Sequence, residues 1–149
     1  VRTVLLVEDD PALRAAVEVL LHRAGYRVVA TGDGVRAVEL ASRNEVDVAL
    51  VELLIPGQSG FRVAAELKTR YGEAVRIAVM SASASQAHQD YAFAAGAERF
   101  LAKPFTAAQL LAAVAAFGPP PAGGPAGGSY RAARIGAAGP VRTAAAARE

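Results

Sequence analysis

Five residues able to do chemistry stand at the ends of four short apolar runs. Glu8 and Asp9 follow "VLLV", Glu52 ends "VDVALVE", Ser81 follows "VRIAVM", and Lys103, with Pro104 behind it, follows "RFLA". If these runs are parallel strands, their carboxyl ends open into one cleft, where function gathers in an open α/β sheet. Acids crowded in this way repel one another and coexist only with a divalent cation, a lysine or a raised pKa. A donor set made of oxygens alone points to Mg²⁺, which keeps several waters and takes one or two protein carboxylates. Lys103 and Ser81 add donors for a group with oxygens of its own, such as a phosphoryl. The plainer reading makes Glu8, Asp9 and Asp10 helix-opening acids and Lys103 a salt-bridge partner. Each residue alone fits that reading; all five at the ends of four strands favour a shared site.

The elements that must position them alternate five times between residues 3 and 117. The expected strands are 3–8, 26–31, 46–52, 75–80 and 99–102. The first, third and fourth are almost wholly apolar, as strands covered on both faces should be, and the more mixed second and fifth suit edges. Asp10 is placed to cap a helix beginning at Pro11, with Leu13, Val17, Leu20 and Leu21 as its apolar stripe and Gly25 at its end. Ser59 is placed to cap a second, with Phe61, Val63 and Leu67 for packing and Gly72 as its stop. "TAAQ" at 106–109 reads as a capping box ahead of Leu110, Leu111, Val114 and Phe117. "SQAHQDYAFAAG" is the weakest helix, small and polar apart from Tyr91 and Phe93, and loose packing is expected there. The alternation predicts a doubly wound parallel sheet with helices on both faces.

A chain of 149 residues suits one domain with a real core. After Phe117 the composition turns to Gly, Pro and Ala, with few large apolar residues to offset ordering entropy, so residues 118–149 are expected to be a disordered tail or linker, within which "RTAAAARE" could form a short helix. That segment carries a net charge of +3, which leaves −1 for residues 1–117. The basic balance is a property of the tail, and no nucleic-acid footprint on a folded face is expected. Cysteine is absent, which excludes disulfides, thiolate metal sites and Cys nucleophiles. No run has a membrane span's roughly 20 apolar residues, and acids interrupt the first apolar run too early for a signal-peptide core. A soluble, cytoplasmic protein is expected.

With these features in place, the chain over residues 1–117 resembles the response-regulator receiver domains of two-component signalling. The resemblance rests on "VLLVEDDPALR" at the first strand, "PGQSG" after the third, "SAS" after the fourth and "AGAERFLAKPF" before the last helix. It implies a flavodoxin-like five-stranded sheet of strand order 2-1-3-4-5. It implies that Glu8 and Asp9, with the backbone carbonyl of Leu54, hold Mg²⁺. Ser81 would be the switch hydroxyl and Phe100 the switch aromatic, which turns inward when Ser81 moves. Lys103 would pair with a phosphoryl oxygen, and Lys103-Pro104 would be a cis peptide. The partners implied are a sensor histidine kinase or other signalling proteins, with the face of the fourth helix, fifth strand and fifth helix as contact surface and as the surface of a homodimer. The module would be a switch and not an enzyme.

One position departs from the family. Counting back from Pro56 puts Glu52 where receivers carry the aspartate that accepts phosphate. Glutamate is longer by one methylene, about 1.5 Å of bond, and a misplacement of about 1 Å in a transfer step costs about 10²-fold. Two expectations follow. In the first, a stand-alone pseudo-receiver, Glu52 reaches toward the phosphoryl position, pairs with Lys103 and Ser81, and mimics the phosphorylated state. In the second, a conventional Mg²⁺-dependent receiver accepts phosphate despite the substitution. A third reading, of another class, is a small α/β nucleotide-binding protein or hydrolase. Its only support is the lone GxG in "TGDGVRA", without a P-loop or a nucleophile elbow, and His22 and His88 fall on helix patterns.

Overall fold

The structure, a computed structural model, describes residues 3–119 together with the backbone at 134–135 and 141–143. Five strands and five helices alternate: β1 (Thr3–Val7), α1 (Pro11–Arg23), β2 (Arg27–Thr31), α2 (Gly34–Arg43), β3 (Val48–Glu52), α3 (Gly60–Tyr71), β4 (Arg76–Ser81), α4 (Gln86–Ala94), β5 (Arg99–Ala102) and, after a two-residue strand β6 (Phe105–Thr106), α5 (Ala107–Ala115). The five main strands are parallel in the order β2-β1-β3-β4-β5. This is the flavodoxin-like doubly wound topology, with β1 and β3 bracketing the point where the winding reverses.

Alternation along the strands sends side chains to two separate cores. Leu5, Val7, Ala49, Val51, Ile77, Val79 and Phe100 pack against Ala37 and Ala41 of α2, Val63 and Leu67 of α3 and Ala92 of α4. On the opposite face Val4, Leu6, Leu50, Met80 and Leu101 meet Val17 and Leu21 of α1 and Leu110 and Val114 of α5. A fully buried Leu, Ile or Val contributes about 1.5–3 kcal/mol relative to an exposed one, and β1 and β3 are buried at every position. That explains why those strands read as unbroken apolar runs.

The helix starts obey the expected chemistry. Asp10 accepts hydrogen bonds from the N–H groups of Ala12 and Leu13, with Pro11 as the first helical residue. Ser59 caps α3, and Thr106 and Gln109 form a reciprocal capping box at α5. The glycines of "TGDG" have a structural explanation. Asp33 caps α2, and a Cβ on Gly34 would lie 1.8 Å from the carbonyl oxygen of Gln58. Gly34 therefore permits a close backbone approach, which removes the one feature that suggested nucleotide binding. Within α4, Gln89 and Ala92 are buried and Tyr91 is exposed, its ring meeting Phe61 edge-on at 4.9 Å.

One expectation changes at the β5 edge. Strand β5 is flanked on its far side by an antiparallel strand, β8 (Val141–Thr143), so it is interior to a six-stranded sheet. A further two-residue strand, β7 (Arg134–Ile135), pairs antiparallel with β6. These strands fall within the segment expected to be a tail or linker, and β8 overlaps the start of "RTAAAARE". The rest of that segment from residue 120 lies outside the described residues.

At the amino ends of the strands, Arg76 binds Glu98 through paired hydrogen bonds, and Lys68 reaches Glu98 and Glu73 at 3.4 and 3.1 Å. Arg76 and Arg99 both place their guanidinium groups over the ring of Phe117, 5.4 and 5.5 Å from its centroid.

Candidate functional site

Backbone contacts deliver the five residues to one end of the sheet. The Glu8 N–H donates to the Thr31 carbonyl at 3.0 Å, which keeps Glu8 in line with the sheet just past β1. Arg14, one turn into α1, holds the Glu8 carbonyl from Nη1 at 2.8 Å. Glu52 closes β3, and the turn after it is pinned where the Gly60 N–H donates to the Leu53 carbonyl at 2.9 Å. A Cβ on Gly60 would stand 2.1 Å from the Glu52 carbonyl oxygen, so a side chain there is incompatible with α3 starting this close to β3. The Lys103 N–H donates to the Ser81 carbonyl at 2.9 Å, and the Lys103-Pro104 peptide is cis.

Three of the five side chains meet. Lys103 Nζ lies 2.7 Å from Glu8 Oε2 and 2.6 Å from Glu52 Oε2. Glu8 is 1% exposed and Glu52 4%. The Asp10 N–H donates to Glu8 Oε1 and the Leu54 N–H to Glu52 Oε1, each at 3.2 Å. Glu52 Oε2 sits at ion-pair distance from the ammonium without forming a well-directed hydrogen bond, so that contact is an attraction of charges. Two carboxylates share one ammonium. Burial pushes the Glu8 carboxyl above its ordinary range; Lys103 and the Asp10 N–H pull it back and Glu52 adds repulsion, for a net rise. Burial pulls the Lys103 ammonium down, but the two carboxylates outweigh it and its pKa is raised. Lys103 is therefore charged throughout the neutral range.

The residues expected to hold Mg²⁺ do not form an open oxygen cage as they stand. Lys103 and a backbone N–H engage the oxygens of both Glu8 and Glu52, and Asp9 is exposed. Leu54 enters the site through its N–H. Among the described residues, no three His, Asp or Glu side chains are grouped to hold a metal ion. Positive charge between the carboxylates comes from Lys103.

Ser81 is fully buried, and its Oγ accepts the Ser83 N–H at 3.1 Å. The expected Ser81–Glu52 pairing is thus absent, because Glu52 Oε1 is turned to Leu54 and Oε2 to Lys103. Phe100 is 1% exposed and packs inside the α2–α4 core, so it offers no surface to a partner. Sequence reasoning missed Arg14, which acts through a backbone carbonyl. It also missed the hydrogen bond between Ser83 Oγ and His88 Nδ1, which ties the loop after β4 to α4.

Fold and site together define a receiver module, and comparison with known proteins agrees. The response regulator receiver domain family model matches residues 4–115, and the chain belongs to that family. Such modules act as non-catalytic phosphorylation switches in two-component systems. The chain is 36% identical over 106 residues to the transcriptional activator protein PfeR of Pseudomonas aeruginosa, covering 71% of this chain and 34% of that protein. It is 33% identical over 113 residues to the transcriptional regulatory protein CseB of Streptomyces avermitilis, covering 76% and 47%. The chain thus spans between a third and a half of these curated relatives. Among solved structures, the chemotaxis response regulator CheY4 of Vibrio cholerae superposes with a TM-score of 0.72 at 27% identity, over 78% of this chain and 98% of that one. The Francisella response regulator 1452 receiver domain gives 0.73 at 21% identity, over 78% and 96%, a likeness of fold. No helix among the described residues is long and apolar enough to cross a membrane.

Proposed function

We propose that this chain is a pseudo-receiver, a two-component signalling module in which the Glu52 carboxylate stands in for an aspartyl phosphate and fixes the switch. The observation that carries the reading is the contact of Glu52 Oε2 with Lys103 Nζ at 2.6 Å. Lys103 is the residue the family resemblance reserves for a phosphoryl oxygen, and here a carboxylate of this chain engages it. The inward Phe100 supports the same reading, since it has the position expected of a thrown switch. Glu52 supplies one negative charge where a phosphoryl group carries nearly two and more acceptor oxygens. The mimicry is accordingly partial: Ser81 keeps its bond to the Ser83 N–H. Lys103 also does the neutralising work expected of Mg²⁺, so millimolar Mg²⁺ leaves the thermal midpoint unchanged. Signalling then runs through protein contacts with a sensor histidine kinase or another component of the system.

The test is intact mass spectrometry after incubation with a small phosphodonor and Mg²⁺. The expected result is no stoichiometric adduct on the native chain and a gain of one phosphoryl group in Glu52→Asp. A stoichiometric adduct on the native chain that disappears in Glu52→Ala would instead establish a conventional phospho-accepting receiver.

A further inference from the structure

We propose that the outer edge of β5 is a strand-acceptor site closed in cis by residues 141–143 of this chain. The sheet's final parallel strand, β5, would otherwise present its outward N–H and C=O groups unpaired, the arrangement to which extended segments add. Residues Leu101, Phe100 and Arg99 instead stand opposite Val141, Arg142 and Thr143.

Three observations converge on the assignment. First, β7 pairs with β6 in the same sense, Ile135 opposite Phe105 and Arg134 opposite Thr106, so both described pieces of chain after Pro119 run antiparallel to the strands they meet. Second, Ile135, Val141 and Thr143 are the only β-branched residues after Phe117, and all three fall in the paired positions. Strand-forming residues have thus been spent where pairing occurs, in a composition otherwise dominated by Ala, Gly and Pro. Third, the connection is long enough: residues 120–133 can span up to about 46 Å at about 3.3 Å per residue. The nine-residue helix α5, which that connection must retrace, is only about 14 Å long.

Strand β8 pairs with the strand that leads into Lys103. It also covers the strand at the centre of the face expected to contact a partner or a second copy of this chain. This inference does not depend on whether Glu52 mimics a phosphate.

Residue-resolved amide exchange on the full chain tests it. N–H groups alternate along a strand, so those of Arg99–Ala102 that face β4 and those that face β8 report separately. Val141→Pro combined with Arg142→Pro removes two consecutive donors, so whichever faces β5 is lost. The expected result is exchange at least tenfold faster at the outward β5 amides, with the amides facing β4 and those of β1 and β3 unchanged. Protection in the native chain should be independent of protein concentration. Outward amides that exchange equally fast with and without the two prolines would overturn the proposal. Protection that grows with concentration would overturn closure in cis and assign the strand to a second copy.

Discussion

Replacing Lys103 with methionine tests the electrostatic account of the site most directly. At an effective dielectric of about 20, charges 2.6 and 2.7 Å apart attract by about 6 kcal/mol per contact. Much of that is offset by the desolvation of three ions, so the net worth of the cluster is far smaller than the sum. Methionine keeps the aliphatic volume and removes the charge, leaving Glu8 and Glu52 buried without a counter-ion. Removing one partner of a buried pair costs about 3–5 kcal/mol. Protonation of Glu8, already favoured by burial, keeps the loss within that range despite the presence of two carboxylates. With a urea slope of about 2 kcal/mol per molar for a domain of this size, the midpoint followed by circular dichroism at pH 7 should fall by roughly 2 M. Adding Glu8→Gln to Lys103→Met should restore a large part of the loss, because one of the two stranded charges is gone. A loss below about 1 kcal/mol, the value of a solvated surface pair, would refute the reasoning. So would a loss undiminished by Glu8→Gln.

Glu8 itself predicts a pH signature. Its folded pKa lies above the ordinary 4.5 because burial outweighs Lys103, so the native state holds more protons than the unfolded chain between those two values. Stability from this group is complete below about 4.5 and is lost as pH rises through the folded pKa. The stability of Glu8→Gln relative to the native chain should therefore improve as pH rises across that window, and thermal unfolding between pH 4 and 8 measures it. Gly60→Ala should cost about 1–3 kcal/mol or more, since its Cβ would stand 2.1 Å from the Glu52 carbonyl oxygen and 2.6 Å from Leu53 Cα; urea unfolding reads the loss. Thr106→Ala should cost about 1 kcal/mol by opening the capping box at α5. The Thr106→Ala loss should appear as faster amide exchange confined to the first turn of α5.

Much of the architecture could be read directly from residue order. The unbroken apolar character of "TVLLV" and "VALVE" follows from burial on both faces, and Asp10, Ser59 and Thr106 cap where their side chains have orphan N–H groups to accept. The convergence of Glu8, Glu52 and Lys103 follows from parallel topology, because each ends or follows a strand. What could not be read is which atoms would touch. Glu52 meets Lys103 and not Ser81 because the Leu54 N–H turns one carboxylate oxygen away, and the tight turn behind that depends on Gly60 lacking a side chain. The β8 pairing was hidden because three residues show no period against an Ala-rich background. Arg14 was hidden because its contact is with a backbone carbonyl, for which side-chain spacing carries no signal.

The contacts of Phe117 have a mechanical consequence. Two guanidinium groups, rooted in the first residues of β4 and β5, rest on a ring at the point where α5 ends. Arg76 is itself held by Glu98, so the ring bears on a braced support. Phe117 thereby fastens the end of α5 to the first residues of two strands whose far ends carry Ser81 and lead into Lys103.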